Sequence, residues 1–240
     1  MLPWRIERYE LLGSTSELCR ERAAAGEAAG LVVIAERQGS GRASFGRAWS
    51  SPPGNLYLSV LLRPSQRLAM AGLFPLLSAV VLADAVVPLL PDPAALTLKW
   101  PNDLLLNGGK LAGILLDSAP DGAGGFASLV IGFGLNILTK PDIPDRPTAC
   151  LADAVTPPPS PSALADRLLA ALVARLDTPP DLWRHAWLAR GPAIGTQLRL
   201  HQGTISLTGH FAGLADDGRI LLDIDGTISC HATGEIRIAP

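Results

Sequence analysis

Cysteine and histidine are scarce in this sequence of 240 residues, and each scarcity excludes something. Cys19, Cys150 and Cys230 are odd in number, far apart and without a CxxC pair. They provide neither a disulfide framework nor a zinc site, and a reducing cytoplasm is the expected location. The four histidines fall at no metal-ligand spacing, so no transition-metal centre is expected. A charge excess is also lacking. Twenty basic residues face 22 acidic ones, and the net charge of −2 argues against broad attraction to nucleic acid or membrane while leaving room for a local basic site. No uninterrupted long apolar run occurs either. Residues 73–90, LFPLLSAVVLADAVVPLL, approach the length of a membrane span, but Asp84 sits inside and Pro75 and Pro88 interrupt. They read as a helix buried under a sheet. The mixed, charged start, MLPWRIERYELLGSTS, does not have the form of a signal peptide.

What is present suffices for a globular fold. Apolar residues make up 48% and charged residues 18%, enough for a large core and one domain with a small appendage. WRIERYE reads as a strand, and a helix follows from Ser14, whose spacing to Glu17 is that of a capping box. LVVIAE (31–36) is a strand leading into a glycine-rich segment, and NLYLSVLLR is another with partial alternation. A long helix is expected over about 70–88. LTLKW and LLL precede Asn107-Gly108-Gly109, a hairpin turn, and KLAGILLD returns. FASLVIGFGLNI (126–137) is a further strand, and two helices, SALADRLLAALVARL and DLWRHAWLA, follow. From Gly191 onward, short strands separated by Gly and Asp turns suggest a small antiparallel barrel. The expected class is α+β, divided into residues 1–190 and a small all-β unit of 191–240.

Three stretches bear chemistry. GSGRASFGRAW (39–49) holds three glycines and two arginines and no acidic residue. Its backbone could face an anion and its arginines could fork around a phosphate or carboxylate. No Gly-Lys-Ser or Gly-Lys-Thr follows as in a P-loop, and taken alone the segment leans towards an ordinary mobile loop. In LKWPNDLLLNGGKLAGILLD (98–117), Pro101 breaks a strand and sets Asn102 and Asp103 at a bend. The hairpin brings Lys110 back beside them, and Gly113 inside a strand marks a close approach. A carboxylate, an amide and a lysine could hold Mg²⁺, polar ligand groups or developing negative charge. A plain turn with a solvated lysine is the alternative. GFGLNI ends a strand at Asn136, and Ser14, Thr15 and Ser16 begin a helix, where free N–H groups and hydroxyls serve either as a cap or as a ligand site.

Together, STS, Gln38, GRASFGRAW, SPPGNLYLS, KWPND, KLAGIL and GFGLN, in that order, resemble the biotin–protein ligases, over about residues 9–137. The resemblance implies a mixed sheet flanked by helices, like class II aminoacyl-tRNA synthetases, with an SH3-like C-terminal barrel. It implies formation of biotinyl-adenylate from biotin and ATP with Mg²⁺, then transfer to a lysine of a biotin carboxyl carrier domain such as that of acetyl-CoA carboxylase. Ser14, Thr15, Ser16 and Gln38 would then line the biotin ureido and ring pocket. Gly41, Arg42, Ala43 and Ser44 would belong to the loop closing over the intermediate, and Lys110 would contact the carboxylate and α-phosphate with Gly113 beside biotin. Arg47, Trp49, Asn102, Asp103 and Asn136 would lie on the nucleotide and metal side, with Lys110, Arg42 and Asp103 catalytic. No protein nucleophile is expected.

The sequence departs from the family in the middle of the loop. Ala43-Ser44 stands where the family has Gly-Arg, so the arginine that holds the adenylate is missing and a leakier intermediate is expected. The first motif starts by residue 14, so neither an N-terminal helix-turn-helix domain nor DNA binding is expected. A homodimer through a sheet edge is compatible with the family. A lipoate- or octanoate-handling relative on the same fold, and a binding protein that keeps biotin or adenylate without transfer, are the competing readings.

Overall fold

The structure, a computed structural model, describes residues 3–43, 46–143 and 146–238. Its elements run β1 (Arg5–Leu12), α1 (Thr15–Ala24), β2 (Leu31–Gln38), β3 (Leu56–Leu62), α2 (Leu73–Val86), β4 (Leu96–Lys99), β5 (Asp103–Leu106), β6 (Gly109–Pro120) and β7 (Phe126–Leu135). Then come α3 (Pro161–Leu176), α4 (Pro180–Leu188) and the strands β8 (Gln197–Gln202), β9 (Ile205–Leu214), β10 (Ile220–Ile224), β11 (Thr227–His231) and β12 (Glu235–Ile238).

Seven strands form one mixed sheet in the order β1-β2-β3-β7-β6-β5-β4. β1 and β2 run parallel and the remaining neighbours are antiparallel. Continuous apolar runs in central strands require cover on both faces, and the helices provide it. Leu31 and Val33 pack with Cys19 and Ala23 of α1, while Val32 and Ile34 join the larger core containing α2, α3 and α4. β3 is buried along its whole length, so the partial alternation expected there gives way to cover on both sides.

The apolar stretch expected to be a buried helix is α2, flanked by short 3₁₀ turns at Leu68–Met70 and Val87–Leu89. Twelve of its fourteen residues are buried, as in a helix covered all round by protein. Pro75 lies in the first turn, where its missing N–H costs nothing. The Asp84 carboxylate takes Arg175 Nε at 2.7 Å and Arg190 Nη2 at 3.1 Å, so this charge ties α2 to α3 and to the end of α4. Among the described residues no helix is long and apolar enough to cross a membrane.

Two local signals have direct structural counterparts. Asn107 and Gly108 adopt φ of 49° and 78°, the positive pair that a two-residue hairpin requires, and the turn returns Lys110 toward Asp103. Ser14 caps α1, its Oγ accepting from the Glu17 N–H at 3.4 Å. The reciprocal half of the expected capping box is absent, because the Glu17 carboxylate binds Arg20 and Arg42 instead.

β8–β12 make a second, wholly antiparallel sheet in the order β11-β10-β9-β8-β12. Its inward residues Leu198, Leu200, Phe211, Leu222 and Ile236 join the same buried cluster as the large sheet. The turn between β9 and β10 seats against the block after β4. Trp100 Nε1 donates to the Gly218 carbonyl at 3.1 Å, and a Cβ at Gly72 would meet the Asp217 carbonyl oxygen at 2.4 Å. This docking carries the start of β12 to the mouth of the site.

Candidate active site

The start of α1 presents its hydroxyls inward. Ser14, Thr15 and Ser16 are all buried, and Gln38 at the end of β2 reaches them. Gln38 Oε1 accepts from the Thr15 N–H at 2.8 Å and from its Oγ1 at 3.2 Å, while its Nε2 donates to Ser51 Oγ at 2.9 Å. Ser59, in the middle of β3, lies 2.8 Å from Thr15 Oγ1 and 3.0 Å from Ser16 Oγ. Buried hydroxyls are held to fixed partners because an unpaired one is costly, so this network is rigid.

Beside the network lies a floor without side chains. Gly113 of β6 and Gly134 of β7 are register partners, and the Trp49 indole lies across both. A Cβ at Gly113 would meet Trp49 Cζ3 at 2.9 Å, and one at Gly134 would meet Cε2 at 2.7 Å. Trp49 itself is pinned by its N–H to the Gly41 carbonyl at 2.8 Å, and the loop closes on itself where the Ala43 N–H meets the Arg47 carbonyl at 2.8 Å. Trp49 Nε1 is buried with no hydrogen-bond partner.

The far end is cationic. Lys110 is fixed through its backbone, its N–H on the Pro147 carbonyl at 2.8 Å and its carbonyl accepting from Ala149 at 3.0 Å. Its Nζ donates to Asp103 Oδ1 at 2.6 Å, and Lys99 Nζ lies 3.3 Å from Asp103 Oδ2. The Lys110 ammonium also sits 5.7 Å from the Trp49 ring centroid, within range of the aromatic face. Asn102 donates its amide to the Ile114 carbonyl at 2.5 Å. Arg42 turns toward Glu17 at 3.0 Å and Asp117 at 3.4 Å. Glu235, at the start of β12, is ringed by Lys99, Arg146 and Arg47. Burial raises the Glu235 carboxyl, but these three cations outweigh it and leave the group below its ordinary range.

These parts bound one cavity of about 560 Å³. Of the residues singled out from sequence, Ser14, Thr15, Ser16, Gln38, Arg42, Ala43, Arg47, Trp49, Asn102, Asp103, Lys110 and Gly113 all line it. Two do not. Gly41 is buried behind the loop, where a Cβ would strike the Trp49 carbonyl oxygen at 2.5 Å. Asn136 is 2% exposed and stands behind the wall. Its Nδ2 donates to the carbonyls of Ala149 at 3.0 Å and Lys110 at 3.4 Å, so it braces the segment that holds Lys110. Ser44 lies outside the described residues. Sequence reasoning missed Ser59, Lys99, Arg146 and Glu235. A lone serine inside the run LYLSVLL was the available signal for Ser59, and the lysine that opens KWPND for Lys99. Nothing local marked Arg146 or Glu235.

A polar pocket, a bare glycine floor and a cluster of cations in one cavity define a class of site. Such a site can take a small neutral head group at one end and bring two anions together at the other, as acyl activation by a nucleotide requires. The chain matches the biotin/lipoate A/B protein ligase family over residues 11–136. A biotin–[acetyl-CoA-carboxylase] ligase of Paracoccus denitrificans is 35% identical over 205 residues, 79% of this chain and 82% of that protein. One of Mycobacterium tuberculosis is also 35% identical, over 97% of this chain and 89% of that protein. The fold matches a biotin protein ligase from Aquifex aeolicus in complex with biotin and ATP. The TM-score is 0.81 at 23% identity, covering 98% of this chain and 99% of that one. This chain belongs to the biotin/lipoate A/B protein ligase family.

Proposed function

We propose that the chain is an ATP-dependent biotin–protein ligase, acting in two steps within the one cavity. In the first, a biotin carboxylate oxygen attacks the α-phosphorus of ATP. The bond from that phosphorus to the bridging oxygen breaks, and pyrophosphate leaves with the electron pair. In the second, the amine of an acceptor lysine on a biotin carboxyl carrier domain attacks the activated carbonyl. AMP leaves, and the amine gives up a proton to solvent. The observation that carries this reading is the union, in a single 560 Å³ cavity, of Thr15, Ser16 and Gln38, braced from behind by Ser59, with Lys110 and its cationic neighbours.

Ser14, Thr15, Ser16 and Gln38 suit the ureido and ring end of biotin, since each presents a polar atom at a buried wall. Gly113 would lie beside biotin, on the floor that the Trp49 indole covers. Lys110 is placed to neutralise carboxylate and α-phosphate together, which repulsion between two anions otherwise opposes. Asp103 orients Lys110, and Arg42 joins it from the loop once drawn away from Glu17 and Asp117. Gly41 and Ala43 belong to the loop over the intermediate, which their backbone bonds to Trp49 and Arg47 hold, and Arg47, Trp49 and Asn102 face the nucleotide. No side chain acts as a covalent nucleophile in either step. Mg²⁺ would accompany the nucleotide. It needs only one or two protein oxygens beside phosphates and water, which Asp103 and the free amide oxygen of Asn102 can offer, and it would offset phosphate charge. Among the described residues, no cluster of three His, Cys, Asp or Glu gathers to hold a metal unaided.

Residues 1–190 would form the catalytic unit and 191–240 the C-terminal unit. Carrier proteins of acetyl-CoA carboxylase or a similar carboxylase are the acceptors this reading favours. A cytoplasmic location is supported by three free thiols. The outer edge of β1 offers a second copy a strand to pair with, the route to a homodimer. The test is incubation with ATP, Mg²⁺, labelled biotin and a carrier domain, with labelled lipoate and octanoate in parallel. Label on the carrier lysine from biotin alone is the expected result. Label from lipoate or octanoate instead, or none on the carrier, contradicts the proposal.

A further inference from the structure

Ser59 is fully buried in the middle of β3, behind the wall that Thr15 and Ser16 present to the cavity. Its Oγ is 2.8 Å from Thr15 Oγ1 and 3.0 Å from Ser16 Oγ, two contacts between hydroxyls in which, taken singly, either oxygen could donate. Their surroundings remove that freedom. The Thr15 backbone N–H can only donate, so the Gln38 atom 2.8 Å from it is the carbonyl oxygen Oε1. The opposite side of the same amide agrees. Ser51 Oγ gives its proton to the Trp49 carbonyl at 3.2 Å, so it accepts from Gln38 Nε2 at 2.9 Å.

With Gln38 fixed, the hydroxyl protons follow one by one. Oε1 cannot donate, so Thr15 Oγ1, 3.2 Å away, gives it its only proton. Thr15 then has none left for Ser59, and Ser59 donates across the 2.8 Å contact. Ser59 in turn has none left for Ser16, and Ser16 donates across the 3.0 Å contact. A single chain therefore runs from Ser16 through Ser59, Thr15, Gln38 and Ser51 to the Trp49 carbonyl, every proton pointing the same way. Gly132 keeps the space for its first link, since a Cβ there would strike Ser16 Oγ and crowd Ser59 Oγ.

Thr15 and Ser16 line the cavity, and both have committed their protons behind its wall, so toward a ligand they offer lone pairs only. We infer that Ser59 is a positioning residue that fixes this polarity, so that the wall takes a head group bringing N–H donors and rejects the same shape with oxygen in their place. A ureido ring carries two such N–H groups. An oxygen set against a hydroxyl that cannot turn its proton leaves lone pairs opposed away from water, and a site built around a hydrogen bond discriminates strongly against a ligand that fails to make it. Without Ser59, the Ser16 hydroxyl is free to turn and donate into the cavity. The selectivity rests on the biotin reading of the cavity, whereas the order of the protons does not.

A neutron structure of the full chain without ligand, in deuterated buffer, reads the order directly. The Ser59 deuterium should point at Thr15 Oγ1 and that of Ser16 at Ser59 Oγ; a Thr15 deuterium directed at Ser59 would overturn the proposal. Calorimetry reads the consequence, with biotin and with the two cyclic carbamates in which one ureido N–H is replaced by oxygen. Wild type should prefer biotin to either carbamate by about 10-fold or more. Ser59→Ala should bind biotin about 10-fold more weakly and narrow the gap to at least one carbamate several-fold, with a thermal melt showing that the variant is folded. Ser59→Cys keeps a weaker S–H donor, so it should fall between the two, and it carries the same comparison if the alanine variant does not fold. Unchanged biotin affinity, or equal losses for biotin and both carbamates, would reduce Ser59 to a packing residue and overturn its positioning role. A wild type that shows this proton order yet binds no biotin would overturn the ligase reading and leave the ordered chain standing.

Discussion

Replacing Asp103 with asparagine removes one charge and almost no volume, at the point where two lysines converge. The carboxylate is 2.6 Å from Lys110 Nζ and 3.3 Å from Lys99 Nζ, and its side chain is 12% exposed against 29% and 21% for the lysines. A pair of unit charges about 4 Å apart attracts by roughly 4 kcal/mol at an effective dielectric of about 20, most of it offset by desolvation. Breaking a fully buried pair costs about 3–5 kcal/mol, and an exposed pair is worth at most about 1. With lysines this accessible, a loss of about 2 kcal/mol of stability is expected. For a chain of this size that corresponds to a fall in Tm of about 4–8 °C. The effect on chemistry should be larger than on binding. Lys110 without its partner is free to leave the line between carboxylate and phosphate, and a misplaced group of this kind costs on the order of 100-fold. The assays are a thermal melt, biotin calorimetry, and single-turnover formation of biotinyl-adenylate. Biotin affinity should stay within about threefold, because the Gln38 network is untouched. A lowered Tm with an unchanged rate of adenylate formation would make the Asp103–Lys110 pair purely structural and refute the reasoning.

Three further predictions test other parts of the cavity. Gly132→Ala places a Cβ 2.3 Å from Ser16 Oγ and 3.3 Å from Ser59 Oγ, so Ser16 must move; biotin affinity should drop at least 10-fold in calorimetry with AMP affinity retained. The Glu235 carboxyl, raised by burial but lowered further by Lys99, Arg146 and Arg47, lies below its ordinary value of 4.5 when folded. Its stabilising contribution is therefore present above the ordinary glutamate range and lost as pH falls through the depressed value, and Glu235→Gln should remove that part of the acid limb in melts taken across pH. Ser44→Arg restores the charge that the family carries at this position, and one charge-assisted hydrogen bond of about 1.5–3 kcal/mol should slow biotinyl-adenylate release by about 10- to 100-fold. An unchanged off-rate would show that Ser44 is not the source of a leak.

Local signals in the sequence carried a large share of this fold. The Ser14 cap, the Asn107-Gly108 turn, the proline-headed α3 and the short strands after Gly191 are each decided by residues within a few positions of one another, and each was legible. Cover on both faces of β3 was not, because it depends on α1 and α2 converging from distant sequence. The same division runs through the site. Asn102, Asp103 and Lys110 share one hairpin and could be placed together, whereas Lys99, Arg146 and Glu235 meet only because the second sheet docks through Trp100 and Gly218. Asn136 was expected on the nucleotide and metal side from the family resemblance. Its burial arises from the 147–151 segment folding over it, which no pattern in GFGLN reveals.

The central claim is that one cavity places a biotin carboxylate and the α-phosphate of ATP side by side under Lys110. A rapid-quench measurement on Lys110→Met, with biotin, ATP and Mg²⁺, tests it most directly. Wild type should accumulate about one equivalent of biotinyl-adenylate per chain, and the variant should form it at least 100-fold more slowly while still binding biotin. Adenylate formation by Lys110→Met at the wild-type rate would contradict the account.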